Sequence, residues 1–189
     1  MRFKKNRMSG TPNLAVREPG RLPEWLKSPL PKSANYFNLR SLVRDHNLNT
    51  VCQSATCPNI GQCWDAGTLT LMILGETCSR SCRFCDVPTG IPLPPQSDEP
   101  GNVAKTLSQL NLRYAVLTSV DRDDLPDGGA GHWAETLRKV REMCPHMKIE
   151  ALIPDFQGKV DLIGAVCRET PDVLAHNLET VAGLQTKVR

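Results

Sequence analysis

The sequence predicts an α/β fold built on a parallel sheet. Two observations carry this prediction. From Thr68 onward, short and almost wholly apolar runs alternate with longer segments of helical periodicity. Polar residues then cluster directly after each apolar run. Strands covered on both faces read as continuous apolar runs, and parallel strands need crossovers between them, usually helical.

Taken in order, residues 1–33 are rich in Pro, Lys and Arg and read as an arm laid over a body. Leu39, Leu42 and Val43 mark one face of a short helix. Residues 34–67 form a segment whose cysteines fall in a loop region, with Pro58 and Gly61 as breakers. Thr68–Leu74 (TLTLMIL) is the first buried strand. A Pro-rich connection (Pro88, Pro92, Pro94, Pro95, Pro100) leads to a helix carrying Val103, Leu107 and Leu110. Tyr114–Val120 is the second strand and Ala130–Met143 the next helix. Lys148–Ile153, a helix over 159–168 and Asp172–Ala175 complete the alternation, so that 68–189 is the sheet-bearing unit.

Composition narrows the function classes. With 23 basic and 20 acidic residues the net charge is only +3. That argues against a strongly basic nucleic-acid surface. The basic start (Arg2, Lys4, Lys5, Arg7) is followed by Gly10, Pro12 and Pro19 rather than by an apolar run, so a signal peptide is not expected. A mitochondrial presequence is disfavoured by the same residues. No apolar stretch is long enough for a membrane helix. The expectation is a cytoplasmic protein with reduced cysteines.

The cysteines carry the strongest functional signal. Six of eight fall within 34 residues, as Cys52, Cys57, Cys63 and then Cys78, Cys82, Cys85. The second triplet, C-x3-C-x2-C, provides three thiolates in one loop. These can hold three irons of a [4Fe-4S] cubane and leave the fourth open to a small molecule, which suggests chemistry as well as electron storage. The first triplet repeats the arrangement and suggests a second cluster. Zinc is the rival, but structural zinc takes four ligands, and no histidine lies between Cys52 and Cys85. Cys144 and Cys167 each read as a small packing residue on a helix's apolar face, the latter with Val160 and Ile163.

Ligands of parallel α/β sheets collect at the C-terminal ends of the strands. Cys78–Cys85 follows the first strand; Thr118, Ser119, Asp121, Arg122, Asp123 and Asp124 follow the second. Asp155 follows the third, and His176, Asn177 and Glu179 the fourth. Four placements on one rim outweigh any single motif. Simpler roles compete at each position: Asp127 before Gly128 and Gly129 reads as a helix cap, and Arg122 can pair with its acidic neighbours. Glu150 and His176 can satisfy local hydrogen bonds.

The stretches from Cys52 to Trp64, from Met72 to Val87, Thr118-Ser-Val-Asp121-Arg122-Asp123-Asp124, Leu152-Ile-Pro-Asp155-Phe and His176-Asn177-Leu-Glu179 together resemble lipoyl synthases, from about Leu22 to Arg189. The resemblance implies a partial TIM-type (β/α) barrel of the radical S-adenosylmethionine kind, preceded by an extension with an auxiliary cluster. It implies two [4Fe-4S] clusters and S-adenosyl-L-methionine as cofactors. Cys78, Cys82 and Cys85 would hold the catalytic cluster, and Cys52, Cys57 and Cys63 the auxiliary one, the sacrificial sulfur donor. A 5′-deoxyadenosyl radical would abstract hydrogen from C6 and C8 of an octanoyl group on a lysine of a lipoyl-domain carrier protein. An electron donor such as ferredoxin or flavodoxin would be the second partner. Asp121, Asp123, Gly128, Gly129, Asn177 and Glu179 are the expected cofactor-binding residues. The chain departs from the family pattern in ending after four such strands and in lacking an Arg-Ser-Ser segment whose serine ligates the auxiliary cluster. That leaves two expectations: a lipoyl synthase, or a truncated, catalytically impaired iron–sulfur-binding fragment of one. An iron–sulfur carrier without catalysis and a zinc module are the readings from other classes.

Overall fold

A computed structural model describes residues 23, 27, 30–110 and 112–189. Most of the expected N-terminal arm therefore lies outside the described residues.

The first helix, α1 (Ala34–Asp45), starts where Ser33 accepts a hydrogen bond from Tyr36 N–H at 3.2 Å, and it buries Leu39 and Val43. A two-residue strand β1 (Asn49–Thr50) and two short helices follow, α2 (Val51–Ser54) and α3 (Ile60–Asp65). The first cysteine triplet is thus not in a loop throughout: Cys52 is on α2 and Cys63 on α3, with Cys57 between them. Of the two residues expected to break helices, Pro58 lies between α2 and α3 as expected, whereas Gly61 does not break α3. Pro58 lies just before the α3 N-cap, and Gly61 sits inside α3 against the Pro31 ring, which a Cβ would approach to 3.2 Å. Thr50 caps α2 by accepting from Gln53 N–H at 3.2 Å.

Strands β2 (Thr70–Ile73), β3 (Tyr114–Ser119), β4 (Lys148–Leu152) and β5 (Val173–Ala175) occupy the four expected places. They are parallel and in sequential order, and β1 adds an antiparallel edge beside β2 that the apolar pattern did not announce. Two residues are too few to carry a period. Helices α4 (Glu99–Leu110), α5 (Ala130–Met143) and α6 (Val160–Arg168) form the crossovers, each packed on the next. Sequential strands with side-by-side crossover helices are the winding of a (β/α) barrel wall rather than of a doubly wound sheet. A short α7 (Gln185–Val188) ends the chain.

The core lies between the sheet and the helices: Leu71, Ile73, Leu117, Ile149 and Ala151 meet Val103, Leu107, Trp133, Leu137 and Val140. Fully burying such side chains is worth about 1.5–3 kcal/mol each before chain entropy is counted. Cys144 is buried, as expected, but Cys167 is exposed. The inward face of α6 is set by Leu162, Ile163 and Val166, one position round from the Val160–Ile163–Cys167 stripe, and Val160 is exposed. At the sheet edge, Val173 and Leu174 are exposed on β5.

Candidate functional site

The site begins where β2 ends. Leu74 and Gly75 both have left-handed backbone, φ 68° and 93°, and this turn directs the chain into the cysteine loop. The loop then closes on itself. Cys78 N–H donates to the Pro88 carbonyl at 2.8 Å, Gly90 N–H donates to the Cys78 carbonyl at 3.1 Å, and Cys85 N–H donates to the Cys82 carbonyl at 3.1 Å. It is also stitched to the end of β3: Ser79 N–H and Oγ both donate to the Asp121 carbonyl, at 3.0 and 2.9 Å, and Asp123 N–H donates to Ser79 Oγ at 2.9 Å.

Arg80, inside the x3 of the motif, is the cation that gathers the rim. Its guanidinium makes a two-pronged pair with Asp123 (2.6 and 2.8 Å) and another with Asp155 (2.7 and 2.8 Å), and lies 3.4 Å from Asp121. The loop after β2 is thereby tied to the ends of β3 and β4. Paired carboxylates hold Arg80 firmly charged. In return its hydrogen bonds hold Asp123 below the ordinary carboxylate range and Asp155 at about 2. Asp121 goes the other way: burial pushes its carboxyl up, with Arg80 opposing.

A cavity of about 370 Å³ opens at this rim, and Cys78, Cys82 and Cys85 all line it. Asp121, Asn177, Glu179, Thr118, Ser119 and Arg189 supply its polar wall, and Met72, Val116, Val120 and Leu152 its apolar part. Cys78 is buried, Cys82 half-buried and Cys85 exposed. Burial pushes the thiols of Cys78 and Cys82 up, so that ligation by either releases a proton. Among the described residues no three His, Cys, Asp or Glu side chains are gathered for a single metal ion. A cubane takes one thiolate per iron, and therefore asks for thiols around a volume rather than at a point. A three-thiol wall on a cavity meets that requirement.

The other expected ligands separate into groups. Asp121, Asn177 and Glu179 share the cavity with the thiols. Asp123 does not line it; its carboxylate is taken by Arg80 and by Gln157 Nε2 at 3.1 Å. Gly128 and Gly129 do not line it either. Gly129, at φ 85°, caps α5 and packs so closely that a Cβ would be 2.5 Å from Leu74 Cδ1. Asp127 has its capping role, accepting from Gly129 and Gly131 N–H at 2.9 Å. His176 Nδ1 donates to the Ile153 carbonyl at 2.8 Å, a local bond between strand ends. Arg122 is buried, pairs with Asp124 at 2.8 Å and also donates to the Leu74 carbonyl at 3.2 Å. Cys52, Cys57 and Cys63 are half-buried. Val51, beside Cys52, lines the main cavity, and Thr50, Gln53 and Ser54 share a second cleft with Glu76, Asp86 and Pro88 of the cysteine loop. Arg80 was missed in the sequence; its signal was a cation within a motif whose rim carries several aspartates.

Comparison with known proteins bears on the family rather than on this geometry. The model of the N-terminal domain of lipoyl synthase of the radical SAM family matches residues 2–57. The chain is 50% identical over 169 residues to a lipoyl synthase of Parabacteroides distasonis, covering 89% of this chain and 60% of that protein. It is 51% identical over 173 residues to one of Natronomonas pharaonis, covering 89% and 56% respectively. With one of Thermus thermophilus the identity is 52% over 168 residues, covering 88% and 52%. The chain thus spans a little over half the length of the curated relatives it matches. Two cysteine triplets, a parallel sheet with its polar rim and about 50% identity over 88–89% of the chain support a partial lipoyl synthase.

Proposed function

We propose that the chain is part of a lipoyl synthase, whose reaction is the radical-mediated insertion of two sulfur atoms at C6 and C8 of an octanoyl group borne on a lysine of a lipoyl-domain carrier. Cys78, Cys82 and Cys85 would hold one [4Fe-4S] cluster and Cys52, Cys57 and Cys63, in the 34–67 segment, the auxiliary one. When bound, the first cluster supplies one electron, drawn from a ferredoxin- or flavodoxin-type donor, for cleaving S-adenosylmethionine into methionine and the hydrogen-abstracting 5′-deoxyadenosyl radical.

The chain's own residues have defined tasks in this reading. Asp121, Asn177 and Glu179 offer acceptors to the amine and ribose hydroxyls of S-adenosylmethionine. Met72, Val116, Val120 and Leu152 offer apolar contact to an alkyl chain and keep water from its reacting carbons. Arg80 fixes the cysteine loop against two neighbouring strand ends. Asp123 and Gly129 act on the same loop from outside the cavity, through Arg80 and Leu74, while Gly128 packs on Phe156.

One observation carries the reading: three thiols, two carboxylates and an apolar wall line a single cavity at the C-terminal ends of parallel strands. The test is anaerobic reconstitution with iron and sulfide, then addition of S-adenosylmethionine and a reductant. Release of 5′-deoxyadenosine by the wild-type chain and its loss in Cys82→Ala are expected, with iron retained on the first triplet. Turnover in Cys82→Ala at the wild-type rate would overturn the assignment. Sulfur insertion is checked separately with an octanoyl-lysine peptide.

A further inference from the structure

The turn that launches the cysteine loop is held by a buried carboxylate. Leu74 is not glycine, yet its backbone is left-handed (φ 68°), a conformation that side chains disfavour. Its N–H donates to Glu99 Oε2 at 2.8 Å, and the same oxygen accepts from His132 Nε2 at 2.6 Å. Glu99 is only 7% exposed. Glu99 opens α4 and His132 lies in the first turn of α5, so that two crossover helices converge on one peptide group of a third element. A carboxylate taken out of water at a cost, with both partners on one oxygen, is poorly explained by stability alone.

We infer that Glu99, oriented by His132, is a positioning residue: it locks the Leu74–Gly75 turn and so holds Cys78 in the cavity wall. Its importance for cofactor chemistry rests on the reading of Cys78 as a cluster ligand, but the clamp itself does not. Without Glu99 the Leu74 N–H is buried and unsatisfied, and the left-handed turn loses one of its fixings. The loop then opens locally while the sheet persists.

The test uses the full 189-residue chain, iron-free and reduced, with pulsed iodoacetamide labelling of individual thiols read by peptide mass spectrometry. Cys78 and Cys144 are matched probes, 9% and 8% exposed, and Cys144 lies at the far end of α5. In Glu99→Ala, labelling of Cys78 is expected to rise about tenfold or more while Cys144 stays within about twofold. Glu99→Gln, which keeps an acceptor for Leu74 N–H, is expected to return Cys78 to near the wild-type rate. An unchanged Cys78 rate, an equal rise at both thiols, or no rescue by glutamine would overturn the proposal. If Glu99→Ala fails to fold, His132→Ala carries the test: a selective rise of about threefold at Cys78 supports the clamp, and none refutes it. Failure of the chain to load iron would count against the cluster reading and leave this ratio unaffected.

Discussion

Arg80→Met offers the sharpest test of how the rim is assembled. The substitution keeps much of the side-chain volume but removes the charge that joins Asp121, Asp123 and Asp155. Pairing with Arg80 is the main reason the Asp155 carboxyl falls from its ordinary 3.8 to about 2. A depression of that size corresponds to about 2.4 kcal/mol of stability at neutral pH. The Asp155 side chain is 31% exposed, so solvent screening reduces this to about 1–2 kcal/mol. Asp123 is shifted in the same direction, which places the expected loss at about 2 kcal/mol. The sign follows from the depressed folded-state value: the contribution is complete above the unfolded value near 3.8 and is lost as pH falls toward about 2. Urea unfolding at pH 7 should show the variant weaker by that amount, and at pH 3 the gap should shrink to about half. An unchanged midpoint at pH 7 would refute the bridge, and a gap that persists at full size at pH 3 would refute its ionic origin.

Other substitutions test neighbouring parts of the same argument. Asp121→Ala and Glu179→Ala should each weaken S-adenosylmethionine binding several-fold, by equilibrium dialysis of the reconstituted chain, with iron content unchanged; full retention of binding in both removes them from the cofactor wall. Gly129→Ala should cost about 2–3 kcal/mol in a denaturant titration, because a β-carbon there meets Leu74 Cδ1 at 2.5 Å on a backbone with φ 85°. Thr170→Gly should stabilise by about 0.5–1 kcal/mol, since this exposed, β-branched residue ends α6 at φ 49°; a lowered midpoint would contradict that account.

The sequence alone determined the parallel sheet, its four strands and the two cysteine triplets. β2 is buried on both faces and reads as a continuous apolar run. β3 and β4 bury alternate residues and β5 lies exposed at the edge, and these were legible from their alternation with helical segments. Iron–sulfur ligation needs thiols at short spacing, which is written directly in chain order. Some short elements were beyond its reach: β1, at two residues, is too short to carry a period, and the four- and six-residue helices bearing Cys52 and Cys63 hide behind Pro58 and Gly61. The inward face of α6 was misread by one position, because several phases of so short an apolar pattern look alike until a neighbouring helix selects one. Tertiary structure decided which rim residues face the cavity and which serve the scaffold. Asp121 and Asp123 are two positions apart in sequence, yet one lines the cavity while the other is bound by Arg80. Glu99 (held by His132), Arg122 and Gly129 converge on Leu74 from three separate segments. Convergence of this kind leaves no local signature, since each partner is chosen by a contact made only after the crossover helices have packed on the sheet.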